Sequence, residues 1–376
     1  MKPFNISLLY MLLFGAFGCI AQSPQNDGRL PEVVLKLSPG NNNPRNSEGA
    51  FVTLKNGNIL FIYSHYTGKA SGDHDPAFLA SRTSADGGKT WSAEDKVVIE
   101  KEGAMNVMSV SLLRLKNGDI ALFYLKKNSD SDCIPIMRIS RDEAETWGDP
   151  VTCITDKKGY FVLNNDRVIQ LSTGRLLMAV ALHKTPGEMK WYEKAKLFSY
   201  YSDDNGKSWK AGNEVPTPKN IITQEPGVVE LKSGEIMMFI RASGGVQYLS
   251  YSKDRGMNWS AAIPGHINSP LSPASIKRIP SSGDLLLVWN NNDGSIPAIR
   301  GKRTPLHAAI SDDDGKTWKN IFNVVNDPDG WYCYIAIHFN KGNVLLGYCA
   351  GSQAARTHLS VTDITKIKLK SLYKSR

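Results

Sequence analysis

SDDDGKTW, residues Ser311 to Trp318, decides the fold, because four other stretches repeat its pattern. They are SADGGKTW (Ser84 to Trp91), SRDEAETW (Ser140 to Trp147), SDDNGKSW (Ser202 to Trp209) and SKDRGMNW (Ser252 to Trp259). Ser stands first, Asp third, usually Gly fifth and Trp eighth. The Asp carboxylate suits the backbone N–H groups of its own turn, and Gly supplies the positive φ such a turn needs. The Trp then folds back into the core of its own unit. One copy carries little weight, but five copies at intervals of roughly 50–62 residues mark a repeat architecture.

A second motif interleaves with the first. Apolar strands meet across a Gly turn in FVTLKNGNILFIY (from Phe51), VSLLRLKNGDIALFYL (from Val110) and VIQLSTGRLLMAVAL (from Val168). The same happens in VVELKSGEIMMFIR (from Val228), IKRIPSSGDLLLVW (from Ile276) and IAIHFNKGNVLLGYC (from Ile335). Alternation and turn chemistry make these β-hairpins. Six hairpins, five of them followed by outer strands bearing the octapeptide turn, predict an all-β, six-bladed β-propeller over residues 22–376. The sixth unit lacks an octapeptide, so its tail LSVTDITKIKL is expected to supply an outer strand. The stretch from Gln22 to Asn43 is expected to hold a strand that closes the ring. The octapeptides are structural in this reading and lie on outer turns, away from the channel.

The composition is that of a globular chain: 376 residues, 41% hydrophobic, 22% charged, with 32 Gly and 19 Pro. Disorder, collagen and coiled coil are excluded. Residues 1–21 read as a signal peptide, with Lys2, an apolar run from Ile6 to Phe17 and small residues ending at Ala21. Export follows as the expectation, to the periplasm or the medium, or to a lipid anchor at the cell surface if Cys19 is modified. No other segment is suited to span a bilayer, and a monomer is expected. Cys133, Cys153, Cys333 and Cys349 match no zinc spacing. Cys333 and Cys349 flank the Asn340-Lys341-Gly342 turn symmetrically. They are either a cross-hairpin disulfide or two small buried thiols. No Walker, Rossmann, HExxH or nucleophile-elbow motif occurs, so no cofactor and no metal is expected. The net charge of +9 suits a polyanionic substrate, but the basic residues are dispersed, which argues against nucleic acid as a partner.

S-x-D-x-G-x-x-W repeats on such a ring resemble the sialidase (neuraminidase) superfamily over nearly the whole chain. The repeats specify a fold and not a reaction. The resemblance implies an exo-acting glycoside hydrolase that releases terminal sialic acid with retention. That chemistry needs bidentate arginines for the substrate carboxylate. It also needs an acid for the leaving oxygen and a Tyr nucleophile activated by a Glu. QEPGVVELKSGEIMMFIRASGG resembles the family segment in which a Glu opens one strand and an Arg ends the next. Glu225 then activates the Tyr, and Arg241 binds the carboxylate. GKRTPLHAAISDDDGKTW offers Arg303 as a further carboxylate-binding residue, with Arg300 and Lys302 as competitors. GWYCYIAIHF lies where the family carries its nucleophile. Tyr332 fits that register, and Tyr334, two residues on, faces the same side of a regular strand. In GKASGDHDPAFLASRTSADGGKTW, Asp73 resembles the acid, with Asp75 as the alternative.

The first unit departs from the family pattern. NNNPRNSEGAFVTL offers Arg45 as a third guanidinium, but its surroundings do not match, and Glu48 is placed to point into the channel instead. Another acidic or deoxy sugar therefore stands as the alternative substrate, and a non-catalytic carbohydrate-binding propeller as a further one. Asn164, Asn165, Asp166 and Arg167 open the third inner strand, and Asn106 and Ser109 the second. They either read sugar hydroxyls or cap loops, and Asp166 and Arg167 are also placed to pair with each other. The partner in every reading is a glycan, sialylated or otherwise acidic.

Overall fold

The computed structural model describes residues 30–374. The expected signal peptide and Cys19 lie outside the described residues. Within them the chain is all-β, with two short 3₁₀ turns, Pro297–Ile299 and Leu369–Tyr373, as its helical elements. No helix among the described residues is long and apolar enough to cross a membrane.

The hairpins form as the Gly turns dictate. Asn46–Thr53, Ile59–Tyr66, Ala77–Ser84 and Lys96–Ile99 make one four-stranded antiparallel sheet in chain order. Thr223–Glu230 to Ile263–Asn268 and Ser275–Arg278 to Lys319–Val325 make two more. A nine-stranded sheet spans Asn106–Arg114 to Lys210–Ala211, and a single parallel pairing of Tyr160 with Cys133 joins its two antiparallel parts. Gly330–Asn340, Asn343–Ser352 and Thr362–Lys368 form the last sheet, whose outer strand is Glu32–Leu37 from the other end of the chain. The first and last strands among the described residues are thereby zipped together in one sheet.

Asn46–Thr53 packs on Asn106–Arg114, Thr223–Glu230 on Ser275–Arg278, and Ser275–Arg278 on Gly330–Asn340; the nine-stranded sheet meets Thr223–Glu230 through Leu176–Lys184, and Gly330–Asn340 packs back on Asn46–Thr53. The core lies between sheets. Leu286, Val288 and Ile310, for example, share a cluster with Ile337, Val344 and Leu346 of the following sheet.

Each octapeptide closes the same turn. In the fifth copy, Ser311 Oγ donates to Asp313 and accepts from the Gly315 N–H at 2.7 Å, while Asp313 accepts the Thr317 N–H at 2.9 Å. Positions four and five of every copy are left-handed, including Ala144 (φ 70°) in the copy that lacks Gly. Trp91 packs as expected on Phe51 and Phe61 of its own sheet, whereas Trp209 and Trp259 reach back to the preceding repeat unit. Trp209 packs edge-on to Phe123 at 5.9 Å, and Trp259 donates to Ser199 Oγ at 3.0 Å. In these copies the turn is thus a staple between repeat units, which a repeat read one unit at a time does not reveal.

Candidate functional site

Four first strands carry a break in register at corresponding places: Ser47/Ala50, Met108/Ser111, Gln224/Gly227 and Cys333/Ala336. Within each break one non-glycine residue is left-handed: Glu48 (φ 57°), Ser109 (φ 59°), Glu225 (φ 44°) and Tyr334 (φ 56°). A bulge re-aims a side chain, and strained backbone gathers at functional sites. All four side chains line one cavity of about 530 Å³ at the strand openings.

On one wall, the Tyr334 hydroxyl donates to Glu225 Oε1 at 3.1 Å, and Arg241 Nη1 donates to Glu225 Oε2 at 2.7 Å. Arg303 lines the same cavity and lies over the rings of Trp331 and Tyr334, at 5.0 and 5.6 Å. No carboxylate among the described residues forms an ion pair with Arg303, and Arg241 Nε has no hydrogen-bond partner. The two guanidinium groups retain donors for an anion. Burial pushes the Glu225 carboxyl upward, but the charges of Arg241 and Arg303 and two donated hydrogen bonds hold it below its ordinary value. Burial, then the Glu225 charge, pushes the Tyr334 phenol well above its ordinary value. The wall therefore pairs an ionised carboxylate with a protonated phenol.

Behind Glu48 and Asp73, which also line the cavity, a guanidinium lies between the two carboxyls. Arg45 is 1% exposed. It donates to Glu48 Oε1 and Asp73 Oδ1, both at 2.6 Å, and also to Ser47 Oγ and the Ser71 carbonyl. Ser109 Oγ donates to Glu48 Oε2. The Asp73 carbonyl accepts from Asn106 Nδ2 at 2.9 Å and from Lys127 Nζ at 2.5 Å. Trp191, stacked on His183 with ring centroids 4.5 Å apart, and Tyr160 complete an aromatic side of the cavity.

Several expected residues stand elsewhere. Tyr332 is buried beside Tyr348 in the core between the last two sheets, because the bulge at Cys333 breaks the alternation that would have put it beside Tyr334. Arg45 faces its two carboxyls and does not line the cavity. Asn165 ties the channel together, donating to the carbonyls of Gly49 and Tyr334. Asp166 pairs with Lys277 at 2.8 Å and not with Arg167. Arg167 is buried over Phe239 and donates to the Ala274 carbonyl. None of these three lines the cavity; the Asn164 side chain does. Asn106 braces the Asp73 loop, while Asp75 accepts from the Gly72 N–H in its own turn. Arg300 and Lys302 bond to backbone carbonyls outside the cavity. Cys333 and Cys349 are paired across the last hairpin as free, buried thiols. No group of three or more His, Cys, Asp or Glu among the described residues is placed to hold a metal ion. His183, Trp191, Tyr160 and Lys127 escaped sequence reading, since they come from second strands and loops that carry no repeat.

Residues 69–348 match the model of the BNR repeat-like domain. Over 160 residues the chain is 31% identical to a sialidase of Vibrio cholerae serotype O1, covering 36% of this chain and 20% of that protein. Over 239 residues it is 28% identical to a sialidase of Paraclostridium sordellii, covering 57% of each. The chain thus spans little more than half, or less, of these relatives. The solved Hadza microbial sialidase Hz136 superposes with a TM-score of 0.71 at 17% identity, over 88% of this chain and 67% of that one. At that identity the likeness speaks for the fold alone.

Proposed function

The chain belongs to the BNR repeat-like domain family of the sialidase superfamily, and from that premise we propose an exported, monomeric exo-glycosidase that releases terminal sialic acid. Its sheets, with the nine-stranded one counted as two, are the six blades of a propeller, and residues 1–21 direct export. The observation that carries the reading is the Tyr334–Glu225 hydrogen bond in a cavity shared with Arg241 and Arg303. A carboxylate nucleophile would be repelled by the substrate's own carboxylate. A neutral phenol is not, and Glu225 takes its proton as the oxygen attacks. Arg241 and Arg303 hold the substrate carboxylate. The Arg45-bound pair of Glu48 and Asp73 supplies the acid for the leaving oxygen.

The engagement of Arg45 favours a second reading, in which the same machinery acts on another acidic sugar that needs only two guanidinium groups. Purified protein assayed on a fluorogenic sialoside, beside a panel of uronides and deoxy-sugar glycosides, separates them. Turnover of the sialoside supports the first reading, and turnover of a uronide alone replaces it with the second.

A further inference from the structure

We propose that a second ligand site lies further along the first strands and takes a short aliphatic carboxylate on Arg167. Three residues along the chain from Asn164, Glu225 and Tyr334 stand Arg167, Val228 and Ile337. They line a separate cavity of about 310 Å³, which shares no residue with the first. Small-molecule sites run from about 300 Å³ upward, with mostly apolar walls and few polar groups. The walls here are the buried side chains of Leu112, Val168, Val228, Phe239, Ile276 and Ile337.

The polar groups of this cavity have partners in the protein, with one exception. Both Asp166 oxygens accept from Lys277 Nζ, at 2.8 and 2.9 Å, and one also accepts the Ile337 N–H at 2.9 Å. Arg278 pairs with Asp314 at 3.0 Å. Glu230 accepts from the N–H and the hydroxyl of Ser172, at 2.7 and 2.5 Å. Ser275 Oγ donates to the Ile335 carbonyl, and Gln170 donates to the Gly174 carbonyl and accepts the Lys116 N–H. Arg167 is the exception. It is 4% exposed, and no carboxylate among the described residues forms an ion pair with it. Its Nη2 donates to the Ala274 carbonyl at 2.6 Å, while Nε is buried without a partner and Nη1 makes no hydrogen bond among the described residues. The Phe239 ring, 5.0 Å away, meets the face of the guanidinium and leaves its in-plane N–H groups unused. The charges of Glu225 and Asp166 reach Arg167, but Arg241 and Lys277 already hold those carboxylates.

A guanidinium keeps its proton in a protein, so this is a buried cation short of both a counter-ion and acceptors. A buried donor without a partner calls for one. A carboxylate meets both needs. Its two in-plane oxygens match the planar guanidinium, and its single charge balances the single cation. An aliphatic chain behind it suits the apolar walls. A phosphate or sulfate dianion would bring a charge that no remaining cation balances and would leave those walls without an apolar partner.

Sodium butyrate is the probe, with butyramide as its uncharged isostere, both at constant ionic strength. Methyl-resolved NMR of the parent protein should show saturable shifts at Val228, Ile276 and Ile337 with butyrate and none with butyramide. Arg167→Met keeps a flexible side chain over Phe239 and should weaken butyrate by at least about 10-fold, the scale of one hydrogen bond to a charged group. Shifts confined to Met108, Leu125 and Val162 would put butyrate in the first cavity and overturn the proposal. An equal response to butyramide, no saturable shift, or unchanged affinity in Arg167→Met would overturn it as well. Should Arg167→Met fail to fold, the titration of the parent still decides. Neither readout needs turnover of a glycoside, so the outcome is independent of the glycosidase reading.

Discussion

In the proposed reaction Glu225, which accepts from the Tyr334 hydroxyl at 3.1 Å, is the group that takes the phenolic proton. A phenol with an ordinary pKa near 10 is almost wholly protonated at neutral pH, and here burial raises it further. Only a neighbour that takes the proton during attack makes the oxygen a nucleophile. Tyr334→Phe is therefore expected to lower turnover of a sialoside by at least about 10²-fold. Tyr332→Phe should leave kcat near the parent value, since Tyr332 packs in the core. Initial rates of the two variants check this. Glu225 also sets a pH limit. Its folded value is depressed, so the active carboxylate is present above that value and is lost as pH falls through it. The acid limb of kcat/KM should thus lie below about pH 4.3, the value of an unperturbed Glu. A pH–rate profile with its acid midpoint at 6 would deny Glu225 this role. Glu225, Arg241 and Arg303 line one cavity and were singled out in the sequence because their segments resemble those of the family. Which Tyr faces them was not legible, because one left-handed torsion at Tyr334 reverses the parity on which strand reading depends.

The octapeptide turn does structural work that its spacing announces only in part. Its Gly was legible as a turn residue, yet three of the copies also press that Gly against the preceding sheet. A Cβ on Gly256 would stand 2.6 Å from a methyl of buried Leu177. Gly174 is equally left-handed, but a Cβ there meets nothing. Both Gly→Ala variants should lose stability from the backbone, and Gly256→Ala should lose about 1–3 kcal/mol more from overpacking, as read by denaturant titration. The Asp of the turn predicts an acid response. Thr146 donors pull Asp142 down to about 2, and in Asp204 the donors of Ser208 and Ser202 overcome burial to reach about 2. Carboxylates depressed in the folded state contribute stability above the unfolded value near 3.9 and lose it as pH falls through the folded one. The melting temperature should fall as pH drops from about 4 to about 2. Asp204→Asn should be less stable at neutral pH and lose less on acidification, which melts across that range test directly.

At the scale of the molecule, repeats made the all-β architecture readable, down to the strand Glu32–Leu37 that zips onto Thr362–Lys368, but not the parallel pairing that joins nine strands into one sheet. Periodic turns and alternation are local signals, and each copy reinforces the others. The cavity is not local. It is assembled from the openings of several sheets and from loops such as the one bearing Trp191, whose sequence carries no repeat and whose position only the folded chain defines. Arg45 illustrates the limit. Its type suited a carboxylate clamp, but Glu48, three residues on, and Asp73, from a separate loop, occupy it. In the proposed function the assembled cavity follows one course of reaction: attack by Tyr334, protonation of the leaving oxygen by a carboxyl beside Arg45, then water replacing the tyrosine on the face the leaving group vacated. Two displacements restore the starting configuration. The most direct test is proton NMR of a sialoside during its hydrolysis by the purified protein. The first free sugar to appear should have the anomeric configuration of the substrate and equilibrate afterwards. A first product of inverted configuration would contradict that course.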